Sequence, residues 1–168
     1  GFIFDMGPTW YWMPDVFENF FNNFGKNISD YYHLARLNPS YKFFHKNCEF
    51  NIPLEIEKLY ELFENIEPGS KVKLKKFMKQ ARIKYELSMQ NFIRLPNNSI
   101  KEYISLPLIK NMFSLDLLKS LRKHVSYYFQ NKVLRDLLEF PSMFLGGSPN
   151  NTPALYTLMN YADIALGT

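Results

Sequence analysis

Residues 54–93, LEIEKLYELFENIEPGSKVKLKKFMKQARIKYELSMQNFI, decide the fold class of this chain. Pro53 leads into a first run in which Leu59, Leu62, Phe63 and Ile66 recur at helical spacing, while Glu55, Glu57, Glu61 and Glu64 fall on the other sides. Pro68 and Gly69 stop that helix, and Ser70 stands where a hydroxyl caps the next one. The second run carries Lys71, Lys73, Lys75, Lys76, Lys79, Arg82 and Lys84 before its first acid, Glu86. Leu74, Phe77, Met78, Ala81, Tyr85, Met89 and Phe92 still keep one apolar stripe along it. An acidic amphipathic helix followed at once by a basic one predicts an antiparallel helical hairpin.

Upstream of the hairpin, residues 2–5 read as a short strand, and Pro14-Asp15 opens a helix that Gly25 closes. Phe17, Phe20, Phe21 and Phe24 fall on one face of that helix, the pattern of a core stripe or of one wall of an apolar ligand tunnel. Two β-prone runs, YHLARL and YKFFH, flank the turn signal Asn38-Pro39-Ser40, and CEFNI completes a small antiparallel sheet from regions 2–5, 34–46 and 48–52. Downstream, Ser99 and Glu102 have capping-box spacing for a helical stretch. Ser114 is placed to cap a helix bearing Leu117, Leu118, Leu121, Val125 and Tyr128. A shorter helix ends at Pro141, and a last one runs from about Pro153 to Leu166. The expected class is α+β, a predominantly helical lobe with a small antiparallel sheet.

A chain of 168 residues is one domain, or one and a small lobe, and large enough to bury roughly 70% of the surface its unfolded form exposes. Its 16 Phe, 11 Tyr and 2 Trp mean that large flat side chains dominate what is buried. The net charge of +4 is mild, so the basic excess is local to the 71–84 run and does not imply nucleic acid. Cys48 is the sole cysteine, which excludes a disulfide framework and suits a reducing, cytoplasmic compartment. His33, His45 and His124 have no metal-ligand spacing. The chain starts at Gly1 without a signal-peptide pattern and is expected to be an internal segment. Its most apolar stretch, Tyr103 to Leu121, is broken by Pro107, Lys110, Asp116 and Lys119 and suits a bilayer surface rather than a crossing.

No G-x-G-x-x-G, phosphate-binding loop, G-x-S-x-G or Cys/His pairing is present, so the chain alone has no recognisable catalytic machinery. The basic run reads either as a solvated helix face opposite the acidic helix or as a basic amphipathic helix attracted to anionic lipid head groups. Its aromatic residues lie on the apolar stripe rather than between the cations, which disfavours base stacking. Glu102 reads as the partner of Ser99 in a capping box, as a proton acceptor or cation stabiliser desolvated by the surrounding YISLPLI, or as both.

Five stretches stand out together and in order: GFIFDMGPTWYWMPDVFENFFNNFG, YYHLARLNPSYKFF, LFENIEPGS, FMKQARIKYE and LRDLLEFPSMFLGGSPNNTPALYTLMNYADIALG. They resemble the middle of bacterial-type phytoene desaturases, which are FAD-dependent carotenoid dehydrogenases. The likeness covers nearly the whole chain, anchored by F-D-x-G-P-T at one end and F-L-G-G-S-P-x-x-x-P-A-x-Y at the other. It implies a flavin amine-oxidase-like enzyme of which residues 1–168 form the substrate-binding lobe, with the dinucleotide-binding domain absent from this chain. It further implies hydride transfer from a C40 polyene to a flavin, an apolar tunnel, and access to a membrane where the substrate dissolves.

Residue by residue, the resemblance places Asp5, Gly7, Pro8 and Thr9 close to the flavin and Glu102 where relatives often have a carboxylate, after a Ser-x-basic pattern kept here by Ser99 and Lys101. Some relatives follow it with an arginine where Ser105 stands, so an acid/base role shared with that arginine lacks one partner here. The expectation is therefore the substrate-binding segment of an FAD-dependent carotenoid desaturase, with an apolar carotenoid substrate and an anionic membrane surface met through helix 71–84. This chain alone is not expected to hold FAD. The alternatives are a non-catalytic lipid- or partner-binding helical module, or a related flavin-dependent carotenoid ketolase, retinol saturase or isomerase.

Overall fold

The structure, a computed structural model, describes residues 1–3, 11–91 and 116–167. Its centre is the predicted hairpin, α2 (Ile56–Ile66) and α3 (Ser70–Asn91). Leu59, Tyr60 and Phe63 of α2 meet Leu74, Phe77 and Met78 of α3 in the core, as the period of the sequence requires. Two short helices close the other side, α4 (Leu121–Tyr128) and α5 (Lys132–Glu139). They contribute Leu121, Val125, Leu134, Leu137 and Leu138, while Phe129 between them sits edge-on to Phe63 at 5.6 Å and to Phe77 at 6.1 Å. Such aromatic pairs add packing energy beyond their buried area.

The charged side chains of the hairpin explain its tight turn. Glu64 accepts from the backbone N–H groups of Gly69 and Lys71, both at 2.8 Å, and these donors hold its carboxyl below the usual carboxylate range. Ser70, expected as the cap, is instead the first helical residue, and its buried hydroxyl has no partner among the described residues. The orphan N–H groups of the α3 start were taken by a carboxylate from the preceding helix, which a local capping rule does not see. Glu67 extends the link: its Oε2 accepts from the backbone N–H of Gln130 at 3.0 Å and of Asn131 at 2.8 Å, fastening the hairpin turn to the α4–α5 turn.

The sheet has two antiparallel strands, β1 (Tyr41–His45) and β2 (Cys48–Ile52), in the register Tyr41↔Ile52, Phe43↔Phe50 and His45↔Cys48. Two side chains fasten it to the helices: His45 Nε2 lies 2.9 Å from Asp136 Oδ2 on α5, and the Tyr41 hydroxyl donates to Asp163 Oδ2 at 3.0 Å. The sheet is smaller than expected. Residues 34–37 have no strand partner and no regular structure, and neither do residues 2–3; residues 4–5 lie outside the described ones. β-prone composition yields a strand only where a second strand satisfies its backbone groups.

The helix α1 (Pro14–Asn22) starts at its proline as predicted, but it buries none of its residues. Phe17, Phe20 and Phe24 are exposed, so the phenylalanine stripe is not a core stripe. Helix α4 starts later than predicted: Asp116–Lys119 form a turn, Leu118 stands fully in solvent, and the cap is Ser120, whose Oγ accepts from the Lys123 N–H at 3.3 Å. Ser114, Ser99 and the helix expected after Ser99 lie outside the described residues. The last helix is continuous but irregular. A 3-10 turn (Ala154–Thr157) passes into α6 (Leu158–Tyr161) and then into a π-turn (Ala162–Leu166), all within the predicted span.

Candidate functional site

Beyond residue 10 the chain enters with Tyr11 and Trp12, bonded on both sides. The Tyr11 and Tyr32 hydroxyls hydrogen-bond to each other, and the Tyr11 ring packs on Phe17 at 4.7 Å. The Trp12 ring stands edge-on to Phe144 at 4.9 Å, and Phe144 in turn to Phe140 at 5.3 Å. Trp12 follows the F-D-x-G-P-T stretch and Phe144 opens F-L-G-G-S-P, so the two ends of the chain's motif pattern meet through an aromatic contact. Met13 then turns the chain in the left-handed region, φ 54 and ψ 56, and α1 begins. That conformation is unfavourable for a side-chain-bearing residue and is held here by the packing on either side.

This segment builds a groove. Trp12, Met13, Val16, Phe17 and Phe20 face Met89 of α3 across a cavity of about 640 Å³, with Asn19 and Asn23 as the only polar lining groups among the described residues. Its size is that of a small-molecule site, and none of its described lining side chains ionises in the physiological range. It can hold an apolar molecule by dispersion and exclusion of water, but it brings no acid or base to it.

Of the residues singled out for chemistry, Asp5, Gly7, Pro8, Thr9 and Glu102, with Ser99, Lys101 and Ser105, lie outside the described residues. Gly146 and Gly147 are described and do not fit a cofactor's phosphates. Gly146 has φ 63 and donates to the Met143 carbonyl at 2.9 Å, and Gly147 donates to Ser142 at 3.3 Å. A Cβ on Gly147 would stand 3.0 Å from Thr152 Oγ1, so the turn is packed against the protein itself. Its N–H groups are already spent.

The basic run is mostly paired. Lys71 bonds Glu61, Lys73 lies 2.8 Å from Glu67, Lys75 lies 3.5 Å from Glu57, and Arg82 lies 2.7 Å from Glu86. Lys84 is not on the surface at all. At 1% exposure it lies 2.9 Å from Asp116 and donates to the Ala154 carbonyl at 3.2 Å and the Thr157 hydroxyl at 3.3 Å, while burial lowers its pKa. His124 shares the pocket, 3.5 Å from Asp116, with both ring nitrogens buried and without a hydrogen bond among the described residues; burial, aided by the Lys84 charge, pushes its pKa down to about 4. Asp163 is buried as well, held up at about 6 by burial against the Tyr41 hydroxyl bond. The sequence signal for Lys84 was its place on the line 77–81–84–88, which the run of cations obscured. No group of three or more potential metal ligands exists among the described residues, and no described helix is long and apolar enough to cross a membrane.

Comparison with known proteins gives the same direction along nearly the whole length. The chain is 37% identical over 169 residues to a carotenoid 3,4-desaturase of Haloarcula japonica, covering 99% of this chain. The chain is thus similar, over nearly its whole length, to part of the carotenoid and phytoene desaturase family's members. Within that family it is also 31% identical to a zeta-carotene-forming phytoene desaturase of Myxococcus xanthus and 29% identical to a 4,4'-diapophytoene desaturase of Staphylococcus aureus, over 99% of its length in each case. It spans about a third of these relatives: 34%, 32% and 34% of their lengths. No family model matches it. The resemblance drawn from the two end motifs is thus supported at the level of the family.

Proposed function

We propose that residues 1–168 form a single substrate-binding lobe of a flavin amine-oxidase-like carotenoid desaturase, which introduces conjugated double bonds into a long polyene. The observation that carries this reading is the end-to-end similarity to a carotenoid 3,4-desaturase. The apolar groove between α1 and Met89 adds to it, because a polyene offers no polar group and is recognised by shape and dispersion alone. FAD is the cofactor proposed for the full-length enzyme, where it would supply the hydride acceptor. Its contacts would fall to Asp5, Gly7, Pro8 and Thr9 and to parts of the enzyme beyond this chain. Glu102 is proposed as the carboxylate that takes the proton or stabilises developing positive charge. What the described residues contribute is a water-excluding wall that orients the polyene.

A lipid-dissolved substrate brings the enzyme to a membrane surface, and helix 71–84 is the proposed contact, narrowed by its pairing to Lys76 and Lys79. The test is product analysis of the full-length enzyme supplied with phytoene and with later desaturation intermediates. New conjugation, read as a stepwise red shift of the product spectrum, is expected for at least one of them. Failure to desaturate any, in a preparation that holds its flavin, would overturn the proposal, and a ketone or isomer as sole product would move it to the related enzymes.

A further inference from the structure

Val72, Lys76, Lys79 and Ile83 fall at i, i+4, i+7 and i+11, one exposed line along α3. Across a groove of about 590 Å³ Lys76, Lys79 and Ile83 of this line face Tyr127 of α4, and the groove, which Lys73 also lines, has no acid among its described lining residues. Lys73 is tied to Glu67, whereas Lys76 and Lys79 are exposed and have no ion pair among the described residues. The Asp116–Lys119 turn borders the same face. Lys119 lies 5.2 Å over the Tyr127 ring, and Lys123 stands exposed one helical turn before Tyr127. Leu118, at 101% exposure, projects from that turn; Val72, Ile83 and Tyr127 are exposed too.

We propose that this face, with Lys76, Lys79, Lys119 and Lys123 as its charges and Val72, Ile83, Leu118 and Tyr127 as its apolar points, docks on an anionic lipid bilayer. Unpaired cations beside exposed apolar side chains match the head-group layer, where charge meets phosphate and short apolar groups reach the acyl boundary. Tyrosine suits that boundary, apolar in its ring and wet at its hydroxyl. A nucleic acid uses the cations but not Leu118, Val72 or Ile83, and the Tyr127 ring already carries Lys119 rather than lying open for a base. The inference rests on the proposed lipid-dissolved substrate and deepens it. It extends the membrane contact from Lys76 and Lys79 of the basic helix to a surface shared by α3 and the start of α4.

The experiment is flotation of the protein with vesicles of phosphatidylcholine alone and of phosphatidylcholine containing roughly a third phosphatidylglycerol. Binding is expected only with the anionic lipid and should weaken as salt rises from about 0.1 M to about 0.5 M. Each lysine near such a surface is worth roughly fivefold in binding, so Lys76→Ala with Lys79→Ala should weaken it roughly 25-fold, and the arginine pair should restore it. Leu118→Ser should weaken binding without changing the salt dependence. Far-UV circular dichroism checks that each variant stays folded, which is expected because all three positions are exposed. Loss of binding in Phe20→Ser with Phe24→Ser, with the lysine variant unaffected, would overturn the proposal and assign the membrane face to α1. Binding to single-stranded DNA but to neither vesicle would overturn it in favour of nucleic acid. Desaturation assayed in detergent, without vesicles, reports on the substrate reading separately.

Discussion

Replacing Asp163 by asparagine tests the buried pair that joins the sheet to the last helix. Asp163 is buried in the π-turn, its Oδ2 accepts from Tyr41, and its Oδ1 has no partner among the described residues. Burial raises the carboxyl from 3.8 to about 6. Between these values the folded protein holds a proton that the unfolded chain has released, so stability falls as pH rises through this window and stays reduced above it. The gap corresponds to about 3 kcal/mol, because each pKa unit is worth about 1.4 kcal/mol. Asparagine keeps an acceptor for the Tyr41 hydroxyl and cannot ionise.

Urea unfolding of both proteins, followed by circular dichroism at about pH 3.5 and about pH 7.5, isolates this effect, because other titrations are common to the two. The stability of Asp163→Asn relative to the parent should rise by about 3 kcal/mol from the lower to the higher pH. Its absolute offset at either pH is secondary, since the new amide also needs a partner. Tyr41→Phe should steepen the parent's slope, because it removes the hydrogen bond that favours the ionised form. A difference flat to within about 0.5 kcal/mol, or one of opposite sign, would refute the picture of a desolvated carboxyl.

His124→Gln tests the converse case: the buried imidazole stays neutral in the fold to about pH 4, so the parent loses stability as pH falls from 6.5, by about 3 kcal/mol in all, and the variant does not. Because this slope opposes that of Asp163, the two contributions should largely cancel in the parent between about pH 4 and 6, and each single variant should unmask the other group in the same urea series. Phe20→Ser should change stability by no more than about 0.5 kcal/mol, since the ring is 59% exposed, yet raise KM for the polyene several-fold in the full-length enzyme with kcat unchanged. Gly147→Ala should cost about 1 kcal/mol by displacing Thr152 Oγ1 from the Ser148 carbonyl, and adding Thr152→Ala should cost almost nothing further in a double-mutant cycle.

The hairpin was legible because its two helices are each other's cover. Leu59 and Phe63 on one helix and Leu74, Phe77 and Met78 on the other recur at the same period, and the short Pro68-Gly69 turn leaves them nowhere to go but together. Periodicity says that a helix has an apolar face; it does not say what covers it. Phe17, Phe20 and Phe24 have the same spacing as the hairpin's core residues, yet no described element buries them, and Phe17 and Phe20 line an open groove instead. The same limit hid Lys84, whose charge class said surface while its helical position, in line with Phe77 and Ala81, said interior. Position won because Asp116, remote in sequence, supplied the counter-charge, and Thr157 and the Ala154 carbonyl supplied acceptors.

The charge pattern of α3 therefore separates into three uses that a count of lysines merges. Lys71 and Lys75 answer acids of α2 and Lys73 answers Glu67 just past its end, and such exposed pairs contribute little to stability. Lys84 fixes the interior end of α3 against the turn at Asp116 and the 3-10 turn at Ala154–Thr157, holding Met89, one and a half turns further on, in place beneath the groove. Arg82 pairs with Glu86 on α3 itself, so among the described residues of the run Lys76 and Lys79 are left without an ion pair, and they share their face with exposed Val72 and Ile83. A helix selected only for solubility has no reason to place its unpaired cations beside its exposed aliphatic side chains, whereas a helix that meets a lipid surface does.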